Sequence, residues 1–173
     1  MMAVTVIWKL PVPQHMVSSI YDLKPEFFLS RGIKLLLLDL DNTLSPYEVS
    51  EPTDELRAWL RAMSEAGIEP FIFSNNRGGR PESFSKMLDI GFIGKAKKPN
   101  PKRLWEVLRT KNLSEKEAAI VGDQIYTDIF CGRRGGILSV AVRPISIKNP
   151  LRALRYAAEL PFRLAGKIRL KGS

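Results

Sequence analysis

The chain of 173 residues has only one cysteine and one histidine. The single cysteine, Cys131, cannot form an internal disulfide, which favours a reducing, cytoplasmic compartment. The simplest interpretation of Cys131 is a small buried apolar side chain. His15, the lone histidine, lies in a polar stretch before the first clear strand. A histidine-rich metal site is therefore excluded. A Ser-His or Cys-His mechanism would have to use this one residue.

Long hydrophobic runs are also missing. No stretch approaches the eighteen or so apolar residues that suggest a transmembrane helix. The apolar N-terminal patch, MMAVTVIWKLPVP, lacks the basic start and small-residue cleavage site of a secretory signal. We expect a soluble or peripheral protein whose length fits one domain with a core that needs no disulfide.

Acidic residues are scarce towards the C-terminal end. Residues 143–173 contain eight Lys/Arg and one Glu, a net charge of +7, whereas residues 1–142 have a net charge of only +2. This asymmetry separates a basic segment over residues 146–173 from the rest of the chain. We predict that residues 1–145 form one domain, which begins with a lead-in over residues 1–32.

Apolar runs alternate with segments of helical periodicity. Residues 33–38 form a continuous apolar run, the pattern of a parallel strand that is covered on both faces. Further strands are predicted in IEPFIF, FIGKA, EAAIVGD and ILSVAV, and helices in the segments between them. The alternation predicts an α/β fold, a doubly wound parallel sheet of about five strands with helices on both faces.

Polar residues follow the predicted strands. In such sheets the ligand lies at the carboxyl ends of the strands, near the point where the strand order reverses. The residues expected to meet there are the two aspartates after the first strand, two residues after the second, the lysine before the third helix and the aspartate after the fourth strand: Asp39, Asp41, Ser74, Asn75, Lys98 and Asp123.

The aspartates Asp39 and Asp41 point to phosphoryl transfer. Two such charges about 4 Å apart repel by ~4 kcal/mol at an effective dielectric constant near 20, and Mg²⁺, which prefers hard oxygen ligands, would offset that repulsion. One ionised aspartate can attack phosphorus, and a second carboxyl can donate a proton and later accept one from water. Lysine, hydroxyl and amide groups can hold the phosphoryl oxygens.

The same residues resemble the four motifs of the haloacid dehalogenase (HAD) superfamily, in order. Asp39-Leu40-Asp41-Asn42-Thr43 matches its DxDxT signature, Ser74 in FSNN the second motif and Lys98 in KAKKPNP the third. GDQIYTD, which ends at Asp128, matches the fourth, GDxxxxD. The resemblance implies a HAD-like Rossmannoid fold and a phosphatase with an aspartyl-phosphate intermediate.

The resemblance also implies a role for each residue. Asp39 would be the nucleophile and a metal ligand, and Asp41 the general acid/base, with its backbone carbonyl on the metal. Asp123 would be a third Mg²⁺ ligand, with Asp128 as a ligand or support. Thr43 would support the loop behind Asp39 and Asp41. The residues implied for substrate binding are Thr43, Ser74, Asn75 and Lys98.

Plainer interpretations stay open for several of these residues. Thr43, Asp128, Ser74 and Asn75 are also typical turn or cap residues. Lys97 is an alternative to its neighbour Lys98. Four polar residues close to the motifs could touch substrate, although a solvated face is the simpler interpretation for each of them: Asn76, Arg77, Arg80 and Arg103.

The spacing of the motifs leaves no room for a cap domain. About ten residues separate Thr43 from the helix near Thr53, and about twenty separate Asn75 from Lys98. We therefore expect a site that is open to solvent or roofed only by a partner chain. Such a site suits a phosphate on a lipid, a protein or a nucleic acid.

Residues 10–145 closely resemble one branch of the capless HAD proteins, the YqeG-type, phosphatidylglycerophosphatase-like branch of subfamily IIIA. The segments that carry the match are LPVPQHMVSSIYDLKPEFFLSRGIKLLLLDLDNTL, EAGIEPFIFSNN, KAKKPNP and GDQIYTDIFCGRRGGILSVAV. The resemblance implies removal of the terminal phosphate from phosphatidylglycerophosphate. The alternatives are a phosphatase for phosphoprotein or polynucleotide ends and a non-catalytic phosphate-binding scaffold, although a decayed site would have lost some of its motif residues.

The basic tail has the pattern of an amphipathic helix. Leu151, Leu154 and Ala158 share one helical face, and Arg152, Arg155 and Glu159 share another, with Pro161 expected to break or kink the helix. Such a segment can lie on an anionic bilayer, which predicts peripheral association with the inner face of the membrane. A helix packed on the sheet is the alternative. Nucleic acid is disfavoured because the tail does not show the pattern of aromatic residues interleaved with basic ones that stacks on bases.

Overall fold

The computed structural model describes residues 10–171. Most of the apolar N-terminal patch, residues 1–9, and the last two residues of the basic tail lie outside that range. Six parallel strands form one sheet in the order β1-β6-β5-β2-β3-β4. The strands are β1 (His15–Val17), β2 (Leu35–Leu38), β3 (Glu69–Phe73), β4 (Gly91–Ile93), β5 (Ala118–Gly122) and β6 (Leu138–Val142).

Six α-helices accompany the strands in the described part of the chain. They are α1 (Pro25–Leu29), α2 (Asp54–Glu65), α3 (Arg80–Leu88), α4 (Lys102–Thr110), α5 (Phe130–Gly135) and α6 (Pro150–Lys171). The predicted doubly wound α/β architecture is confirmed. Only a loop joins β2 to α2, and only loops, α3 and β4 lie between β3 and α4, so neither gap contains a cap domain.

The core has two layers because successive side chains of a strand point to opposite faces. Leu36 and Leu38 of β2 pack in the layer that α1, α2 and α3 cover. Leu35 and Leu37 pack in the layer under α4 and α5, which also buries Cys131 as predicted. All four leucines are fully buried, which explains why β2 is an uninterrupted apolar run.

The strand β1 is absent from the sequence prediction of about five strands. It lies at the edge of the sheet and pairs in parallel with β6, His15 opposite Val140. Its three residues are only half-buried and have a single neighbouring strand. A strand this short and this exposed has no apolar run that could reveal it.

Helix α6 corrects the expectation of a break at Pro161. It runs unbroken from residue 150 to residue 171 with Pro161 inside it. Proline lacks the N–H that would bond to the preceding turn, but Pro161 is exposed, and the buried residues Glu159 and Arg163 hold the helix on either side of it. Among the described helices, none is long and apolar enough to cross a bilayer.

Candidate active site

The strand order brings three predicted site residues to one edge of the sheet. Strand β2 lies between β3 and β5, so Asp39, Ser74 and Asp123 follow three adjacent strands. The N–H of Asp39 donates to the carbonyl of Val121 at 3.0 Å and so continues the β2–β5 ladder by one residue. The two strands therefore end together, with their aspartates side by side.

Lys98 reaches the centre of this cluster. Its Nζ lies 2.8 Å from Oδ1 of Asp39 and 2.6 Å from Oδ1 of Asp128, and it donates to the carbonyl of Phe73 at 2.7 Å. Burial by itself would lower the pKa of Lys98, but the two carboxylates raise it, so the side chain is a permanent cation. The alternative residue, Lys97, is exposed.

The buried charges of the cluster do not balance. Carboxylate oxygens of Asp39, Asp123 and Asp128 lie within 4.8 Å of one another, and Lys98 is the one cation whose side chain contacts them directly among the described ion pairs. Burial raises the pKa of Asp39 to about 7, and burial together with Asp39 and Asp128 raises that of Asp123 well above its usual value. If all three carboxyl groups ionise, they exceed the one ammonium by two negative charges, and the raised pKa values show that this ionisation is costly without a further cation. A divalent cation with hard oxygen ligands fits that donor set.

Asp128 is placed by the glycine of its own motif. The backbone forms a π-helical turn over Ile125–Ile129, and Oδ2 of Asp128 accepts from the N–H of Gln124 at 3.0 Å. A Cβ added at Gly122 would lie 2.4 Å from Cγ of Asp128, well inside van der Waals contact. The GDxxxxD pattern therefore encodes a close approach of the second aspartate to the strand end.

Thr43 faces the carboxylates. Its hydroxyl accepts from the N–H of Asp123 at 3.0 Å and lies 3.1 Å from Oδ2 of Asp39 and 3.2 Å from Oδ1 of Asp123. With these contacts and its burial, Thr43 supports the acidic loop. Its neighbour Asn42, which the sequence analysis did not single out, adopts φ 69° and bonds through its amide to both backbone groups of Ser146. Asparagine tolerates this left-handed conformation better than most residues, and that preference was the only available signal in the sequence.

Asp41 differs from Asp39 because it is held from the rim of the site. Nε of Arg80 donates to its Oδ1 at 2.7 Å, and Nδ2 of Asn76 donates to its Oδ2 at 2.8 Å. A solvated face was therefore the wrong interpretation for Asn76 and Arg80. It holds for Arg103, which is exposed and pairs with Glu106.

The two residues after β3 have distinct contacts. Ser74 is buried, and its Oγ accepts from the N–H of Asn76 at 3.1 Å. The Asn75 amide bonds twice to the backbone of Lys98, donating to its carbonyl at 3.0 Å and accepting from its N–H at 2.8 Å. In the structure Asn75 thus positions the Lys98 loop, a contact that the expected role in phosphoryl binding did not include.

Helix α6 forms one wall of the site. Its Glu159 accepts from the N–H of Ile125 at 2.9 Å and pairs with Arg163 at 3.0 Å, and the guanidinium of Arg163 donates to the carbonyl of Asp123. The expectation of a site that is open or roofed only by a partner chain did not include this wall, which the chain's own C-terminal helix supplies. The Glu-x-x-x-Arg spacing was the available signal for this pair.

The fold and the site define a class of protein. A doubly wound parallel sheet that gathers three carboxylates and a lysine at its strand ends is an arrangement suited to phosphoryl transfer. The family profile of haloacid dehalogenase-like hydrolases matches residues 20–142, and the chain belongs to that family. It is a phosphoric monoester hydrolase of the HAD type.

Two relatives extend the similarity beyond the shared domain. The chain is 32% identical over 164 residues to YqeG of Bacillus subtilis, named as a probable phosphatase, and the match covers 95% of each chain. It is 27% identical over 172 residues to phosphatidylglycerophosphate phosphatase 1 of Arabidopsis thaliana. That match covers 93% of this chain but only 49% of the plant protein.

Solved structures support the fold at low sequence identity. The 3-deoxy-D-manno-octulosonate 8-phosphate phosphatase of Yersinia pestis superposes with a TM-score of 0.53 at 20% identity, covering 86% of this chain and 89% of that one. The enzyme of the same name from Moraxella catarrhalis, solved with magnesium, phosphate and KDO, gives 0.51 at 14% identity and covers 85% and 97%.

Proposed function

We propose that the protein is a Mg²⁺-dependent phosphomonoester hydrolase that forms an aspartyl phosphate on Asp39 and removes the terminal phosphate of phosphatidylglycerophosphate. One observation carries the proposal. The carboxyl group of Asp39 lies in a buried cluster with Asp123, Asp128 and Lys98, and ionising all three carboxyl groups would give the cluster two more negative charges than positive ones. Burying that imbalance is costly unless a ligand offsets it.

The chemistry follows from the positions of Asp39 and Asp41. A carboxylate oxygen of Asp39 attacks phosphorus, forming a P–O bond to the protein while the ester P–O bond breaks. Asp41, held by Arg80 and Asn76, gives its proton to the departing oxygen. Water then attacks the phosphorus of the acyl phosphate, Asp41 takes back a proton, and inorganic phosphate leaves with Asp39 restored.

The remaining polar residues serve positioning and charge. Lys98, a permanent cation against Asp39, would neutralise the phosphoryl oxygens, and the Ser74 hydroxyl would donate to one of them. The Asp39, Asp123 and Asp128 carboxylates, with the Asp41 carbonyl, would hold Mg²⁺. When bound, the ion supplies charge stabilisation to the phosphoryl group.

The substrate rests on similarity and on the shape of the site. The Arabidopsis relative carries the name phosphatidylglycerophosphate phosphatase, although the chain spans only about half of that protein. No cap domain lies between the motifs, so a head group that projects from a large assembly can reach the site from one side. Both observations favour a lipid phosphate.

The outer face of α6 suits a membrane surface. Leu154 and Leu164 are 70% and 56% exposed, and Leu151 and Ala158 are exposed beside them. The surrounding segment, residues 143–173, has a net charge of +7. Each Lys or Arg close to an anionic bilayer contributes roughly 1 kcal/mol of attraction, so the helix would hold the protein peripherally on the inner face of the membrane.

A phosphate-release assay tests the reaction and the substrate together. The full chain is compared on phosphatidylglycerophosphate in mixed micelles, on a phosphopeptide and on 3′-phosphorylated DNA, each with Mg²⁺ and with EDTA. We expect Mg²⁺-dependent release with the highest kcat/KM on the lipid. A clear preference for the peptide or the DNA would replace the lipid by that substrate, and no release from any of them would favour a phosphate-binding scaffold.

Vesicle binding tests the membrane face separately. The variant Leu154→Gln/Leu164→Gln should bind anionic vesicles at least about fivefold more weakly, because each change removes exposed apolar surface that would enter the interface. Leu29→Gln, at an exposed leucine of α1, is the matched control. Deleting the whole tail would be a poorer test, since it would also remove the buried Glu159 and Arg163.

A further inference from the structure

A cavity of about 320 Å³ lies between the acidic cluster and the first turns of α6. Asp41 and Asp123 line its inner end, and Tyr47, Arg152 and Arg155 line its outer parts. Its volume is at the lower limit of ordinary ligand pockets, enough for a small polar group but too small for acyl chains.

Two arginines of this cavity have weak partners. The guanidinium of Arg155 donates to the neutral amide oxygen of Gln124 at 2.8 Å. Arg152 lies 3.7 Å from a carboxylate oxygen of Glu48, which is 71% exposed, and 5.3 Å from the ring centre of Tyr47. A long ion pair to an exposed carboxylate is worth little, so both guanidinium groups retain most of their capacity to bind an anion.

The inner end of the cavity identifies which part of a substrate would enter it. Asp41 lines the cavity, and under the proposed function its carboxyl gives a proton to the departing oxygen. The group attached to that oxygen must therefore extend from Asp41 into the cavity. The other acidic lining residue, Glu159, is already engaged by Arg163 and the N–H of Ile125.

We propose that this cavity is the leaving-group subsite and that Arg152 and Arg155 bind a second anionic group, a phosphodiester, on the same substrate molecule. The inference rests on the proposed function and specifies its substrate class. The positive end of the α6 dipole lies at the same place and adds to the attraction. Leu151, which is 74% exposed, also lines the cavity, so the subsite opens onto the apolar face of α6 where acyl chains would lie.

Soluble head groups test the subsite without the membrane. The probes are glycerophosphoglycerol phosphate, which has a phosphodiester beside its phosphomonoester, and glycerol 3-phosphate, which has the monoester alone. For Arg152→Gln/Arg155→Gln we expect KM on the first probe to rise at least about tenfold with kcat within about twofold, since charge-assisted hydrogen bonds to the diester are lost. Kinetic constants on glycerol 3-phosphate should not change.

Two further variants make the result specific. Lys148→Gln/Lys167→Gln removes the same charge from exposed positions that do not line the cavity, and it should leave both probes unaffected. Arg152→Lys/Arg155→Lys keeps the charge and should restore most of the loss.

Three outcomes would overturn the subsite: equal losses on both probes, an equal loss in the Lys148→Gln/Lys167→Gln control, or no loss in Arg152→Gln/Arg155→Gln. The proposed function fails in a different way, by a lack of Mg²⁺-dependent release in the unaltered chain. The subsite can therefore fail while the phosphatase proposal stands.

Discussion

Two groups of buried charged residues lie next to each other in the structure and differ in charge balance. The acidic cluster consists of Asp39, Asp123, Asp128 and Lys98, and the α6 anchor is the Glu159–Arg163 pair. All six residues are at most 6% exposed. The anchor has one charge of each sign at 3.0 Å, whereas the acidic cluster has three carboxylates and one ammonium.

The difference separates a structural role from a functional one. A balanced buried pair offsets most of its own desolvation, so its value is in fixing α6 against the strand ends. An unbalanced cluster destabilises the fold until a ligand neutralises it, and such clusters are typical of reactive sites. Variants of the cluster should therefore change activity, and variants of the anchor should change stability.

Asp39→Asn should separate the two groups most strongly. We expect phosphate release to fall by at least about a thousandfold, because an amide is not a nucleophile. The free energy of unfolding should not fall, because the change removes a buried carboxyl group that is costly to ionise and leaves Lys98 paired with Asp128. Phosphate release and urea unfolding measure the two effects. The exposed Asp89→Asn at the end of α3 is the control, and near-normal turnover in Asp39→Asn would exclude this residue as the nucleophile.

Arg163→Met should show the opposite behaviour. Removing one partner leaves Glu159 buried without its cation, so we expect the free energy of unfolding to decrease by about 3–5 kcal/mol. Urea unfolding is the measurement, and Lys167→Met, an exposed position on the same helix, should change stability by less than about 0.5 kcal/mol. If Arg163→Met is as stable as the unaltered protein, the anchor does not hold α6 to the domain.

Gly122→Ala tests whether the acidic cluster depends on close packing. The added Cβ would lie 2.4 Å from the carboxyl carbon of Asp128, so that side chain must move. We expect a loss of about 1–3 kcal/mol in stability together with reduced phosphate release. Gly79→Ala meets open space and should have little effect. Full activity in Gly122→Ala would mean that the position of Asp128 is unimportant.

Arg80→Gln should have the smallest effect of the four. Arg80 holds the Asp41 carboxyl from the rim, and losing it should lower kcat about tenfold by misplacing the general acid. The free energy of unfolding should also fall, by about 1–2 kcal/mol, because the side chains of this pair are only 15% and 19% exposed and Arg80 donates to the carbonyl of Pro46 as well. Arg103→Gln, at the exposed Arg103–Glu106 pair, is the control. An unchanged kcat would remove Arg80 from the site.

Much of this architecture could be predicted from short patterns. The apolar run of β2 and the polar residues that follow it predicted a central strand with Asp39 at its end, and the parallel topology predicted that Asp123 would meet it. The reason is physical, because an uninterrupted apolar strand must be covered on both faces and all parallel strands end at one edge. The half-buried strand β1 had no such pattern.

The contacts that position Asp41 could not be predicted from the sequence. Asn76 and Arg80 lie after β3. Polar residues are expected there whether they face solvent or bind Asp41, so their residue types do not distinguish the two interpretations. Their partner is 35 or more positions away in the chain. Only the packing of the 46–49 loop against the start of α3 decides which interpretation applies.

By itself, the sequence determined the alternation of strands and helices, the four motif positions and the two faces of the C-terminal helix, because side-chain periodicity and residue chemistry are local properties. The tertiary structure alone decided which face of α6 turns inward. Periodicity shows which residues share a face, but the choice between the Leu151–Leu154 face and the Glu159–Arg163 face depends on the partners that the folded domain offers. The carbonyl of Asp123 and the N–H of Ile125 are those partners, and they turn a basic tail into a wall of the site.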